Sequence, residues 1–174
     1  MKKTLLIVVL FFASSCGAVL SEAVIKESDL SISPSKVREN PENFTGSKVI
    51  WGGIIIETVN DEDQTTVEVL ATTMAKSFRP TSTVSSGRFL IRTTDYLDPL
   101  VFSKGAMITV AGEVRGIEER KIDKRNYKYP VVKPKEMRIF VEAPEDELYP
   151  HYHEAPYNPY YRPYYYPYYY PWWP

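Results

Sequence analysis

The sequence predicts an all-β domain, a small five-stranded OB-like antiparallel barrel. Three observations carry that prediction. Five strand-forming stretches lie between residues 47 and 143, the last of them in two pieces, each rich in β-branched residues or alternating apolar with polar. No stretch carries the sustained 3.6-residue apolar period of an amphipathic helix. The order of the pieces is a long curled strand, a hairpin, a third strand, a helix-like break and a final pairing, which is the order of an OB-type barrel. An immunoglobulin-like sandwich is the alternative, but it needs seven or more strands at regular spacing.

The elements follow in chain order. Ser33 before Pro34 is a serine cap with proline at the first helical position, so one short helical turn is predicted there, stopped by Pro41. "SKVIWGGIIIETV" (47–59) is the long first strand, and Gly52-Gly53 in its interior predicts a bend or bulge. "NDEDQ" (60–64) is a polar hairpin loop, and "TTVEVLAT" (65–72) alternates with Val67 and Val69 on one face and Glu68 on the other. Residues 73–86 read as a long polar excursion. "GRFLIRTT" (87–94) is the third strand, and 95–105 is an irregular connection in which Asp98-Pro99 starts a turn. "AMITVAGEVRGIEERKI" (106–122) is the fourth strand, whereas "YKYPVV" (127–132) and "EMRIFVEA" (136–143) supply the last pairing.

Both flanks differ from this centre. Residues 1–15 have the layout of a secretory signal: Lys2 and Lys3, an apolar run from Leu5 to Phe12, then Ala13, Ser14 and Ser15. The apolar run is too short for a hydrocarbon layer, which takes about 20 helical residues. Ala13-Ser14-Ser15-Cys16 resembles a bacterial lipobox, with Ala13 where leucine is usual. The resemblance implies cleavage between Ser15 and Cys16 and diacylglycerol on the Cys16 thiol. Cys16 is the one cysteine in the chain, so no disulfide competes for it. An ordinary signal peptide with a cysteine near its cut is the plainer alternative. In lipoproteins an aspartate after the cysteine implies retention at the inner membrane. Gly17 stands there instead, which implies the outer membrane. Residues 16–33 read as a flexible tether with at most a frayed helical turn, spanning on the order of 20–25 Å, and 34–143 as the barrel domain. From 144 to 174 the composition breaks: eleven of the 14 tyrosines and seven of the 14 prolines lie from Tyr149 onward. Frequent proline favours polyproline II, so this low-complexity tail would present rings in every direction; the plainer alternative is a tail that stays disordered or packs loosely over the barrel. Tyr160, Tyr164, Tyr168, Trp172 and Trp173 are its candidate contacts with membrane headgroups or glycan.

Charge excludes some functions. The formal net charge is -1, and without Lys2 and Lys3 the 19 basic and 22 acidic residues leave about -3, no field for recruiting nucleic acid. "IEERKIDKRNYKY" (117–129) mixes signs and reads as a solvated hairpin end. Trp51 beside two glycines is a candidate aromatic platform or, more simply, core. Arg88 and Arg92 share one strand face by alternation and are candidates for an anionic polymer, or for an ordinary salt-bridged face. "HYHE" (151–154) places two histidines and a glutamate together, but a tail segment without further ligands is not a formed metal site. No nucleophile elbow or phosphate loop occurs, and both histidines lie in the tail. No catalytic residue, cofactor or metal is therefore expected.

"VRENPENFTGSKVIWGGIII", "EVLATTM", "SGRFLIRTTDYLDPLVFSKGAMITVAGEV" and "YKYPVV" together resemble the Slp-type, starvation-inducible outer-membrane lipoproteins of Gram-negative bacteria. The likeness covers about residues 36–142 and is most specific at Gly87-Arg88-Phe89 and Leu97-Asp98-Pro99, with Ser86 standing where a further glycine is the pattern. It implies a starvation- or stress-linked envelope lipoprotein, lipid-anchored through Cys16 on the periplasmic face of the outer membrane, and no enzymatic reaction. Expected partners are outer-membrane lipid, peptidoglycan, lipopolysaccharide or another envelope protein. A periplasmic OB module binding a ligand or an oligonucleotide is the rival reading.

Overall fold

In the computed structural model, which describes residues 19–140, two short helices precede five strands that close on themselves. The helices are α1 (Glu22–Glu27) and α2 (Pro34–Glu39), the second followed by a 3-10 turn at Pro41–Asn43. The strands are β1 (Lys48–Asn60), β2 (Thr65–Met74), β3 (Pro80–Thr93), β4 (Met107–Ile122) and β5 (Arg125–Phe140). Around the barrel they run β1-β2-β3-β5-β4, and β4 returns to β1. The expected five-stranded barrel is thus present, with one correction. β3 and β5 pair in parallel, so the barrel is not antiparallel throughout.

Alternation sorts the strand residues. Val49, Trp51, Val67, Val69, Phe89, Ile91, Ile108, Val110 and Val132 point inward and form one buried cluster. Val37 of α2 and Leu97 of the β3–β4 connection join it. Ser33 caps α2 as its position before proline predicts, accepting from the Lys36 amide at 3.4 Å. Asp98 caps the predicted turn, its carboxylate accepting from the Leu100 amide at 2.8 Å.

β1 is the pivot. Its first half pairs with β4 and its second with β2, and Gly53 faces Ile108 on one side and Ala71 on the other. The bend expected at the two glycines is accompanied by a bulge between Ile55 and Glu57. At Gly53 the neighbouring backbone leaves no room, since a β-carbon would lie 2.0 Å from the Leu70 carbonyl oxygen.

Three further expectations are corrected. Residues 73–86 are mostly strand: β2 runs to Met74, β3 starts at Pro80, and only 75–79 turn. The turn carries Phe78 at φ 60 rather than a glycine, so the usual residue signal is missing. The last two β pieces are one strand, β5, because Lys133-Pro134-Lys135 forms a bulge instead of a break. Proline is tolerated there since a bulge spares it a ladder bond. Residues 19–33 are not a free tether. Leu20 and Val24 are buried against Ile50 and Ala111, which alternation turns outward from the barrel wall. Ser21 donates to Glu136 through its amide at 2.9 Å and its hydroxyl at 2.5 Å, and Glu27 meets Lys48 at 2.9 Å and Lys135 at 3.2 Å. The hydrogen bond from Lys48, then that from Lys135, holds the Glu27 carboxyl below its usual range.

Replacing Gly53 by alanine is expected to cost more than about 2 kcal/mol, because the clash is with backbone on a strand paired on both sides. Urea denaturation of the Gly53→Ala variant checks this, and a midpoint equal to the parent's would contradict it.

Candidate functional site

The outer face of β3 carries the residues that sequence reasoning singled out. Phe89 and Ile91 point into the core, so Arg88, Leu90 and Arg92 point outward in a row. The long β4–β5 hairpin, closed by a two-residue loop at Asp123-Lys124, lies over that row. Tyr129 and Val131 of β5 bury Leu90 between them, with Tyr127 and Ile122 packed alongside. Tyr127 and Tyr129 meet edge to face, ring centroids 4.8 Å apart.

The two arginines are occupied by this arrangement. Arg88 donates to Glu68 of β2 at 2.7 Å, and the Tyr129 hydroxyl donates to the same carboxylate oxygen at 3.0 Å. Glu68 therefore clamps β3 and β5 together from the neighbouring strand. The hydrogen bond to Glu68 raises the Arg88 pKa, while burial, then the hydrogen bond to Glu68, raises that of Tyr129. The Tyr127 hydroxyl accepts from the Arg88 amide at 2.9 Å and from the Arg38 guanidinium of α2. Arg38 also lies over the Tyr127 ring, 5.2 Å from its centroid. Arg92 pairs with Glu118 of β4, which accepts a second bond from Arg120 at 2.5 Å. Burial pushes the Glu118 carboxyl up, but the bonds from Arg92 and Arg120 outweigh it and hold it below its usual range.

This face is consequently not an open cationic track. Arg88 and Arg92 fix the hairpin, the ordinary salt-bridged face that is the alternative to an anionic-polymer track. The acids that neutralise them come from other strands, at registers that strand content alone does not give. Trp51 is corrected as a platform. It is 3% exposed, stacks edge to face on Phe89 at 5.2 Å, and donates its indole N–H to the Ile32 carbonyl at 2.7 Å. Its ring is core, with the polar atom satisfied by the segment before α2. Ser15, Cys16, Tyr160, Tyr164, Tyr168, Trp172, Trp173 and the 151–154 motif lie outside the described residues. Among the described residues no three metal-ligating side chains gather, and no helix is long and apolar enough to cross a membrane.

The pairing of Glu118 with Arg92 and Arg120 makes stability acid-sensitive with a defined sign. The folded Glu118 pKa lies below the unfolded reference of 4.5, so its contribution is complete above pH 4.5 and fades as pH falls through the folded value. Glu118→Gln is expected to cost about 1 kcal/mol at pH 7, the group being partly solvated, and progressively less in acid. Denaturation curves of parent and variant across pH 7 to 3 check this. A pH-independent difference would contradict it.

Comparison with known proteins gives the family. The family model for the outer membrane lipoprotein Slp family matches residues 13–173. An "Uncharacterized protein" of Haemophilus influenzae Rd is 31% identical over 142 residues, 76% of each chain. The "Uncharacterized lipoprotein YeaY" of Escherichia coli K12 is 29% identical over 98 residues, 56% of this chain, and the match spans half of that relative's length. Among solved structures, "OBody NL8 bound to hen egg-white lysozyme" covers 56% of this chain and 99% of its own at 16% identity and TM-score 0.36, values that add nothing to the strand order described above. With a match running over nearly its whole length, the chain belongs to the outer membrane lipoprotein Slp family.

Proposed function

We propose that this protein is a non-enzymatic structural or binding component of the cell envelope, held to the periplasmic face of the outer membrane by lipid on Cys16. The observation that carries the proposal is how close to Cys16 in the chain the packing on the barrel wall already occurs. Val19 and Leu20 already pack with Val24 on the barrel wall. Three residue steps separate Cys16 from Val19, a reach of at most about 11 Å. A lipidated Cys16 would therefore hold the barrel directly against the headgroups rather than on a long leash. Each buried methylene adds about 0.8 kcal/mol to such an anchor, so two or three acyl chains make it effectively permanent.

The tyrosine- and proline-rich segment supplies the second contact in this reading. Its composition suits a surface of sugars or headgroups, where aromatic rings stack and proline limits the entropy lost on docking. The starvation- or stress-linked role that the family resemblance implies is compatible with a passive binder. The oligonucleotide-binding alternative is weaker, because the β3 arginines are paired with Glu68 and Glu118.

Mass spectrometry of the mature N-terminus is expected to find Cys16 first in the chain and carrying acyl-glyceryl mass. An unmodified cysteine on protein recovered from soluble extracts would contradict the anchor. Deleting residues 149–174 is expected to abolish co-sedimentation with isolated cell wall or outer-membrane fragments once the anchor is removed by Cys16→Ser. Retained co-sedimentation would take the tail out of the mechanism.

A further inference from the structure

We propose that the seam between β3 and β5 is a binding site for a phosphate-bearing group. The two strands pair at two positions only, Leu90 with Val131 and Ile91 with Val132. Beyond Ile91 a groove of about 410 Å³ opens, floored by Ile117 and Val131 and lined by Arg92, Arg115 and Lys133.

Arg115 reaches the groove through a backbone irregularity. Val114 pairs with Val132 and Gly116 with Val131, which makes Arg115 an extra residue on β4. A bulge of this kind re-aims a side chain that regular alternation would place elsewhere. Arg115 is half exposed, and its one acid partner among the described residues, Glu113 at 3.1 Å, is also partly solvated. Such rim pairs exchange readily with a better anion. Lys133 is exposed and makes no ion pair among the described residues. Arg92 is committed to Glu118 through its terminal nitrogen and adds its charge at the edge of the groove.

Among the groove's lining residues three cations, Arg92, Arg115 and Lys133, stand against one acid, Glu118; at the rim Glu113 pairs with Arg115 and Asp95 accepts from the Thr93 hydroxyl. A phosphate ester carries a charge of the size of this excess and accepts several charge-assisted bonds at once. Gln64 and Thr94 also line the groove and can serve the hydroxyls of an attached sugar or glycerol. Arg115 and Lys133 line a second cleft of about 270 Å³ beneath α1 as well, where Val24, Gly112 and Pro134 contribute apolar wall. The same two cations therefore stand between a polar groove and a more apolar one. A phosphorylated glycan and a phospholipid headgroup share the chemistry these residues recognise.

The test is calorimetric titration of the full chain in non-ionic detergent at low salt. The probes are N-acetylglucosamine 1-phosphate, unphosphorylated N-acetylglucosamine and dihexanoyl phosphatidylglycerol. Saturable binding of at least one phosphorylated probe is expected, with none for the neutral sugar. Which phosphorylated probe binds assigns the source. The variant Arg115→Gln/Lys133→Gln, both positions exposed and folding checked by circular dichroism, is expected to bind at least tenfold more weakly. The variant Lys76→Gln/Lys124→Gln, which removes the same charge elsewhere, is expected to bind as the parent does. No saturable binding to the parent, equal binding by the groove variant, or equal loss in the control would each overturn the proposal. These outcomes do not depend on lipid at Cys16, so they separate this site from the anchoring reading.

Discussion

The barrel closes through two residue pairs, Leu90 with Val131 and Ile91 with Val132, in the one parallel contact of the sheet. Two pairs supply few backbone hydrogen bonds, each worth about 1 kcal/mol net. Other interactions have to hold the seam. The burial of Leu90, Tyr129 and Val131 on the outer face is the larger contribution, at roughly 1.5–3 kcal/mol for each large apolar side chain. The Glu68 carboxylate, shared by Arg88 and Tyr129, and the Arg92–Glu118 pair add less energy but fix where the hairpin lies. Long strands β4 and β5 follow from this requirement, since a short hairpin could not reach across β3.

That constraint also explains which parts of the molecule could be read from the chain. Strand positions, the capped turn at Ser33-Pro34, the bend near Gly53 and the Asp98 turn are local, and their residues announce them. Long-range partners are not local. Arg88 and Arg92 were legible as one face, yet nothing near them in sequence indicates that Glu68 and Glu118 neutralise it. Tyr127 and Tyr129 read as strand residues, and their role as latch depends on register. The strand character of Thr81 and Val84 is hidden because the stretch is mostly polar and Val84, its one large apolar residue, is exposed. α1 is legible only as a frayed turn because six residues give too short a period, and its apolar side is evident only once Ile50 and Ala111 are seen to need cover.

Two bulges on the β4–β5 hairpin connect fold to surface chemistry. One adds Lys135 to β5, and Lys135 reaches Glu27 of α1. The other adds Arg115 to β4, beside the groove at the seam. The same device thus fixes the N-terminal segment on the barrel and supplies cationic surface next to it. With α1 seated this way, a lipid on Cys16 would bring these basic residues near a headgroup layer, where attraction is strongest within a Debye length of about 8 Å.

Native-state hydrogen exchange at the seam tests the account most directly. If the outer latch closes the barrel, the amides of Leu90, Ile91, Val131 and Val132 exchange only with global unfolding, at the same free energy as Val67 and Val69 in the β2 wall. Exchange of the seam amides by a separate, cheaper opening, while Val67 and Val69 stay protected, would show that the two pairs and their latch do not hold the barrel shut.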